Sequence, residues 1–401
     1  MLNNLLNNSS NNSSDNSSDN SSNNSLDTSS CTSSSSDKVD SDTYNFNFTG
    51  KTLRHYNILN EIGKGAYSIV WLSYNTKKNN FYAIKVHDPS DFKVGMDEIR
   101  FTYKLPKHPP VFNNLVEYFI THENNTKYLC SVWNLHNNNL DSLIRKKLNK
   151  DDSNIIGLPF ICSLQIINQL ITALDILHNK YKVYHGDIKP DNILIKGISE
   201  CNKMYCDTYI KLLNENKLSH SEITDHIIAL NNNNNINECI DYNIQISLAD
   251  FGTYCEYNKE HTSTFGTRYY QAPEIILGGP CSYPVDIWAL GCTFYEILTG
   301  NILFDPIKDS SYSRDYYHLC LINDTCGPFS YSFISKTKHF KNFFNSNGHI
   351  LDYKTSSNRL DRKLENINEN DKIRIKKILV DILKIDPKRR PTIKHVYNIC
   401  N

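Results

Sequence analysis

The sequence predicts an α+β protein of two lobes, a strand-rich part followed by a larger helix-rich part. Two periodicities and a shift in composition point there. Between Tyr56 and Lys85, apolar residues Ile58, Ile62, Val70, Leu72, Tyr82 and Ile84 alternate with polar neighbours. Gly63-Lys64-Gly65 and Lys77 to Asn80 punctuate them as turns, which is the pattern of antiparallel strands. Later, Ile167, Leu170, Leu174 and Leu177 step by three and four, as do Ile287, Leu290, Phe294 and Ile297 before Gly300. Those are helices with one buried face. The join is expected between Trp133 and Asn139, giving an N-lobe of about 51–134 and a C-lobe of about 135–401.

Two segments fall outside this pattern. Residues 1–50 are almost all Asn, Ser, Asp and Thr, too poor in apolar surface to offset the entropy of ordering, and read as a disordered tail. Residues 198–241 are rich in Asn and charge, with an unbroken run from Asn231 to Asn235. They read as a low-complexity insertion, mobile and dispensable for catalysis.

Lys plus Arg and Asp plus Glu both number 43, so no net field draws the molecule to nucleic acid or to an anionic membrane, and neither is expected as a partner. No apolar run approaches eighteen residues, and the N-terminus lacks the basic and apolar regions of a signal peptide. The 12 cysteines are scattered, which suits a reducing compartment; an intracellular protein, cytoplasmic or nuclear, is expected. Cys201, Cys206, His220, His226 and Cys239 share the insertion but include no Cys-x-x-Cys pair, so ordinary side chains are favoured there over a zinc site.

The chemistry is carried by motifs in a fixed order. Gly63-Lys64-Gly65-Ala66-Tyr67-Ser68-Ile69-Val70 follows a strand in the G-x-G-x-x-G-x-V pattern of a loop that covers phosphates, with Ser68 at the third glycine's place. A glycine pair between strands is otherwise only a hairpin. Lys85, in Ala83-Ile84-Lys85 twenty residues after Gly65, puts an ammonium where it could neutralise α- and β-phosphate oxygens. Glu98, thirteen residues on, could pair with Lys85 or simply lie on a solvated helix face.

His185-Gly186-Asp187-Ile188-Lys189-Pro190-Asp191-Asn192 has a spacing suited to phosphoryl transfer. Asp187 can accept or orient the substrate hydroxyl's proton, Lys189 can steady the transferred phosphate, and Asn192 can reach a metal. High phosphate charge calls for a second metal ligand, which Asp250 in Asp250-Phe251-Gly252 supplies. Ala272-Pro273-Glu274, ending twenty-four residues after Asp250, and Asp286-Ile287-Trp288 complete the order.

From Gly63 to Arg390 these motifs resemble the eukaryotic protein kinases. The resemblance implies the two-lobed kinase fold, a small antiparallel-sheet lobe over a helical lobe, with ATP and Mg2+ between them and protein Ser/Thr hydroxyls as acceptors. By the same resemblance Ile62, Val70, Ala83 and Leu194 would enclose adenine, with the backbone from Asn134 to His136 as hinge and Trp133 as gatekeeper. Glu274 would pair with Arg390. A pseudokinase scaffold or a small-molecule kinase are the alternatives. Lys85, Asp187, Asn192 and Asp250 are all present, against the first, and the Ala-Pro-Glu segment with Thr267 stands against the second.

Within that family, Gly157-Leu158-Pro159-Phe160, the insertion after Leu194-Ile195, and Tyr312-Ser313-Arg314-Asp315 resemble the SR-protein kinases. The acidic residues by which those kinases hold Arg-rich substrates are thinned here to Asp305, Asp309 and Asp315, with Asn301, Ser310 and Ser311 at neighbouring places. A Ser/Thr kinase with relaxed or different substrate preference is therefore expected. Gly186 replaces the arginine that in many kinases grips a phosphorylated activation segment, so activity is expected without phosphorylation of Ser263, Thr264 or Tyr269.

Overall fold

The computed structural model describes residues 46–65, 67–148, 157–198, 200–215, 218–231, 243–259, 264–307, 312–353 and 359–401. The expected tail therefore lies outside the described residues up to Asn45, as do Ala66, Ser263 and Lys308 to Ser311.

One six-stranded antiparallel sheet forms the first lobe, in the order β1-β2-β3-β4-β6-β5. Its strands are β1 (Thr52–Leu53), β2 (Tyr56–Lys64), β3 (Ser68–Asn75), β4 (Asn80–His87), β5 (Leu115–Glu123) and β6 (Thr126–Asn134). The alternation from Tyr56 to Lys85 becomes β2 to β4, with turns where Gly63-Lys64-Gly65 and Lys77 to Asn80 place them. Because side chains alternate with period two, the register fixes each face. Trp71 opposite Ile84, and Ile84 opposite Val132, join Tyr56, Ile58 and Phe48 in one apolar core. Val70 opposite Lys85 and Ala83 opposite Trp133 lie on the other face. Helix α1 (Phe92–Thr102) follows β4.

The second lobe begins at α2 (Leu140–Leu148), close to the expected join. Its centre is α3 (Phe160–Asp175), which continues through 176–181 in a wider π-type winding, packed against α7 (Pro284–Thr299). The continuous helix Phe160–Tyr181 is long and apolar enough to cross a membrane by length and composition, although polar residues interrupt its apolar run. Its Ile166, Ile167, Leu170, Ala173, Leu174 and Leu177 are buried in the core of the lobe, so the composition is that of a central helix. Every residue of α7 is buried, and Gly300 closes it in the left-handed conformation at φ +71°.

Short strands β7 (Val183–Tyr184), β8 (Ile193–Ile195), β9 (Ile246–Leu248) and β10 (Cys255–Glu256) form two small ladders, β8 with β9 and β7 with β10. The helices α4 (Glu200–Asn214) and α5 (His220–Asn231) stand between β8 and β9. After β10 come α6 (Pro273–Ile276), α7, α8 (Arg314–Cys326), α9 (Tyr331–Ile334), α10 (Phe340–Phe343), α11 (Leu360–Lys363), α12 (Glu369–Ile382) and α13 (Ile393–Cys400).

Where a low-complexity insertion without a core was expected, α4 and α5 carry buried apolar residues. Tyr205, Cys206 and Tyr209 of α4 and Ile223 and Ile227 of α5 are buried against Leu59, Leu72 and Tyr74 of the sheet. Tyr209 has no exposed surface. Its hydroxyl accepts from Asn57 Nδ2 at 3.0 Å and lies 3.2 Å from His220 Nδ1. The hairpin is rooted in the second lobe, through β8 and β9, yet packs on the first. Ile62 and Leu135 lie against the same cluster. Cys206 thus belongs to a packed core, His220 lies against the Tyr209 hydroxyl, Cys239 lies outside the described residues, and among the described residues no group of three potential metal ligands occurs.

Candidate active site

Strand β4 presents Lys85 toward α1. Lys85 Nζ lies 2.9 Å and 3.1 Å from the two Glu98 carboxylate oxygens and 3.0 Å from Asp250 Oδ1. Glu98 is 3% exposed, which decides between the two readings of that residue in favour of the ion pair. Burial lifts the Glu98 carboxyl above its usual range, with the Lys85 charge opposing. Burial would likewise lower Lys85, but the Asp250 and Glu98 charges more than compensate and hold its ammonium above the ordinary value. Lys85 in turn holds the Asp250 carboxyl down at about 2.

Asp250 sits at φ +63°, an uncommon conformation for a residue with a side chain. What surrounds it over-determines that geometry. Phe251 is buried against Phe101 of α1, Phe112 and His185, with ring centroids 5.5, 6.1 and 4.9 Å apart. His185 Nε2 lies 3.1 Å from the Ala249 carbonyl, which as an acceptor requires the proton on that nitrogen.

Between β7 and β8 the loop gathers the remaining predicted residues. Asp187 Oδ1 accepts from the Thr267 backbone N–H at 2.7 Å, and Oδ2 lies 3.1 Å from both Asn192 Nδ2 and Lys189 Nζ. Asn192 Nδ2 also donates to the Asp187 carbonyl at 2.8 Å, and Lys189 Nζ donates to Thr267 Oγ1 at 2.6 Å. The loop itself is held by Asp286, 1% exposed at the start of α7, whose carboxylate accepts from the backbone N–H groups of His185 and Gly186 at 2.8 and 2.9 Å. His178 Nε2 completes the set at 2.8 Å. The sequence flags Asp286 as part of a motif but gives no hint of this role, because its partners lie about a hundred residues away.

The residues expected around the nucleotide lie on β2 to β4, at the end of β6 and on β8. Gly65 N–H donates to the Ser68 carbonyl at 2.9 Å, closing the turn between β2 and β3, with Gly63 paired to Val70. Ser68 is buried and Lys64 exposed, while Tyr67 stands 65% exposed beyond the turn. Ala83 is buried opposite Trp133, Ile62 and Leu194 are half-buried, and Asn134 ends β6. His136 Nδ1 lies 3.0 Å from the Asn134 carbonyl, which fixes its proton on Nδ1.

A protein kinase domain model matches residues 56–399. The chain belongs to the protein kinase family. It is 28% identical over 317 residues to the serine/threonine-protein kinase SRPK of Physarum polycephalum, covering 74% of this chain and 72% of that one. Protein kinase dsk1 of Schizosaccharomyces pombe is 25% identical over 389 residues, 74% of this chain and 70% of its own length. Serine/threonine-protein kinase prpf4B of Dictyostelium discoideum is 30% identical over 314 residues, 77% of this chain and 32% of that one. The chain is a serine/threonine protein kinase of the SR-protein kinase type, acting on protein substrates with ATP and a divalent metal.

In this kinase the stretch from Phe265 to Glu274 is held by packing and hydrogen bonds. Gly186, at φ +82°, leaves no room for a side chain. A Cβ there would stand 2.9 Å from the Thr253 carbonyl oxygen and 3.3 Å from the Phe265 ring. Phe265 is buried over it, its ring centroid 6.0 Å from that of Tyr184. Gln271 Nε2 donates to the Phe265 and Gly266 carbonyls at 3.0 and 3.1 Å. Glu274 and Arg390 form the expected pair, with bonds of 2.6 and 2.7 Å between fully buried side chains. Arg390 also donates to the carbonyls of Pro284, Lys384 and Ile385 and lies 5.0 Å over the Trp288 ring.

Proposed function

We propose that this kinase binds Mg-ATP between Lys85, Asp250 and Asn192 and transfers the γ-phosphate to a serine or threonine hydroxyl oriented by Asp187. The observation that carries the reading is that Lys85 contacts Glu98 and Asp250 at the same time. One ammonium thereby ties α1, the sheet and the Asp250 turn together on the side where Asp187, Lys189 and Asn192 converge. The donor set fits magnesium, a hard cation that prefers oxygen. Asp250 stays ionised, and Asn192 spends its amide N–H groups on Asp187, leaving the carbonyl oxygen as its ligand atom. When bound, the metal neutralises phosphate charge and the nucleotide supplies the phosphoryl group. Asp187 accepts a hydrogen bond from the incoming hydroxyl and orients it. Lys189, already bridging Asp187 and Thr267, places a positive charge beside it. Ile62, Val70, Ala83 and Leu194 enclose the base, and the Asn134 to His136 backbone supplies its polar contacts. The test is nucleotide binding followed with and without excess EDTA: Asp250→Asn and Asn192→Ala should both lose the metal-dependent part of ATP affinity. Unchanged metal dependence in both would refute the assignment.

For the substrate, we infer a relaxed preference and not strict recognition of Arg-Ser repeats. Asp315, one of three acidic residues available to attract arginine, is ion-paired with Arg268. Asp305 is exposed and Asp309 lies outside the described residues. Phosphorylation of an Arg-Ser repeat peptide and of the same peptide with Gln for Arg, at two salt concentrations, decides this. Similar rates support the inference; a large, salt-sensitive advantage for arginine overturns it. A reducing, intracellular location fits Cys130, Cys162, Cys206, Cys255, Cys281, Cys292, Cys320, Cys326 and Cys400, which are free thiols.

A further inference from the structure

Behind Lys85 the sheet carries a polar cluster on the face against which α1 packs. Lys85 of β4 pairs with Ser131 of β6, so by the period of two Lys85 and His87 share a face with Leu129, Ser131 and Trp133. Trp133 Nε1 donates to Ser131 Oγ at 2.9 Å, His87 Nε2 lies 3.1 Å from the same oxygen, and Ser131 Oγ donates to the Lys85 carbonyl at 3.4 Å. One hydroxyl joins the strand of Lys85 to both rings. It satisfies all three if His87 donates. His87 is 4% exposed, and burial together with the Lys85 charge lowers its imidazole to about 3, so the ring stays neutral beside the ammonium.

Gly95 of α1 sits directly on this cluster. A Cβ at Gly95 would stand 2.7 Å from His87 Nδ1, 2.9 Å from His87 Cγ and 2.9 Å from Leu129 Cδ2, closer than side-chain carbons come to such atoms. Glu98 is one helical turn further along the same face of α1, where its carboxylate meets Lys85. The approach distance of the helix at Gly95 therefore sets the reach of Glu98. We propose that His87, held through Ser131 and Trp133, is the seat for Gly95 that fixes how closely α1 approaches the sheet, making these four positioning residues for the Lys85–Glu98 pair. The inference rests on Lys85 as the phosphate-binding residue of the proposed site.

Helix propensity favours alanine over glycine inside a helix and so gives no reason for Gly95→Ala to lose activity, whereas the seat does. Gly95→Ala should raise the ATP KM and lower kcat, together reducing kcat/KM at least about tenfold, with the thermal midpoint little changed. Adding His87→Ala removes the ring that the new methyl would strike, and the double variant should recover most of the lost kcat/KM. Wild-type kinetics for Gly95→Ala would overturn the proposal, and so would a double variant no better than Gly95→Ala. If Gly95→Ala does not fold, Ser131→Ala, which adds no atom and leaves both rings without their shared partner, carries the test. A raised ATP KM in it supports the seat and unchanged kinetics overturn it. Lys85→Met is the control: activity retained there refutes the reading beneath the proposal, whereas an inactive Lys85→Met beside a normal Gly95→Ala refutes the seat alone.

Discussion

Truncation of Tyr209 separates a packed insertion from a mobile one. Its ring is fully buried, with centroids 5.1 Å from Tyr74 and 6.0 Å from Phe81, and its hydroxyl accepts from Asn57, which is itself buried. Replacing a buried aromatic by alanine costs about 3–5 kcal/mol, and leaving Asn57 without its acceptor adds about 1–3 kcal/mol. The observable loss has a ceiling, however. Once it exceeds the free energy with which α4 and α5 dock on the sheet, the hairpin comes away while the lobes stay folded. Tyr209→Ala is therefore expected to lower the thermal midpoint by about 5 °C, the equivalent of about 4 kcal/mol scaled to a domain of this size. It should also open α4 and α5 to amide exchange and to proteolysis between Glu215 and Ser219. Tyr209→Phe keeps the ring and loses the hydrogen bonds, so it should fall between the variant and the wild type. Exchange protection of α4 and a midpoint both unaltered in Tyr209→Ala would refute the packing argument and restore the view of 198–241 as a mobile insertion.

Three further outcomes follow. His87 and His318 are buried, and their imidazoles are lowered from 6.5 to about 3, by burial first and then by Lys85 and Arg268 respectively. The unfolded chain therefore binds more protons between these values, so stability is present above pH 6.5 and falls with acid by about 1.4 kcal/mol per pH unit for each histidine. His318→Gln should flatten the slope measured by denaturant titration, and an unchanged slope would contradict this. Glu274→Gln leaves Arg390 buried without its counter-charge and should destabilise the C-lobe by about 3–5 kcal/mol in equilibrium unfolding; a loss below about 1 kcal/mol would show the pair to be unimportant. Phosphatase-treated enzyme should retain its activity, because Phe265 packs on Gly186 where a phosphate-gripping arginine would otherwise stand, and strong activation by phosphorylation at Thr264 or Tyr269 would count against that.

Much of this was legible in the residues alone because local chemistry wrote it there. Strands β2 to β4 appear as alternation broken by glycine and Asn-Lys turns, and α7 as a three-four repeat stopped by a glycine that takes positive φ. Asp187, Lys189 and Asn192 lie within six residues and meet because the turn at Pro190–Asn192 folds the Asn192 amide back onto Asp187. What composition concealed is the hairpin. Asparagine and charge dominate the window, yet Tyr205 and Tyr209, and Ile223 and Ile227, are each spaced by four and form one apolar stripe per helix. That spacing was the available signal. The carboxylate of Asp286 under His185 and Gly186, and the Ser131 hydroxyl between His87 and Trp133, could not be read at all, since each joins groups tens to about a hundred residues apart through tertiary packing.

The central claim is that Asp187 orients a protein hydroxyl toward the γ-phosphate at this site. It is tested most directly by single-turnover transfer from γ-labelled ATP to a degenerate Ser/Thr peptide library, comparing wild type with Asp187→Asn at matched, saturating nucleotide. The substitution removes charge without changing volume, so the account predicts intact folding, intact ATP binding and a transfer rate at least about a hundredfold slower. A variant that transfers phosphate to peptide within a few-fold of the wild-type rate would contradict it.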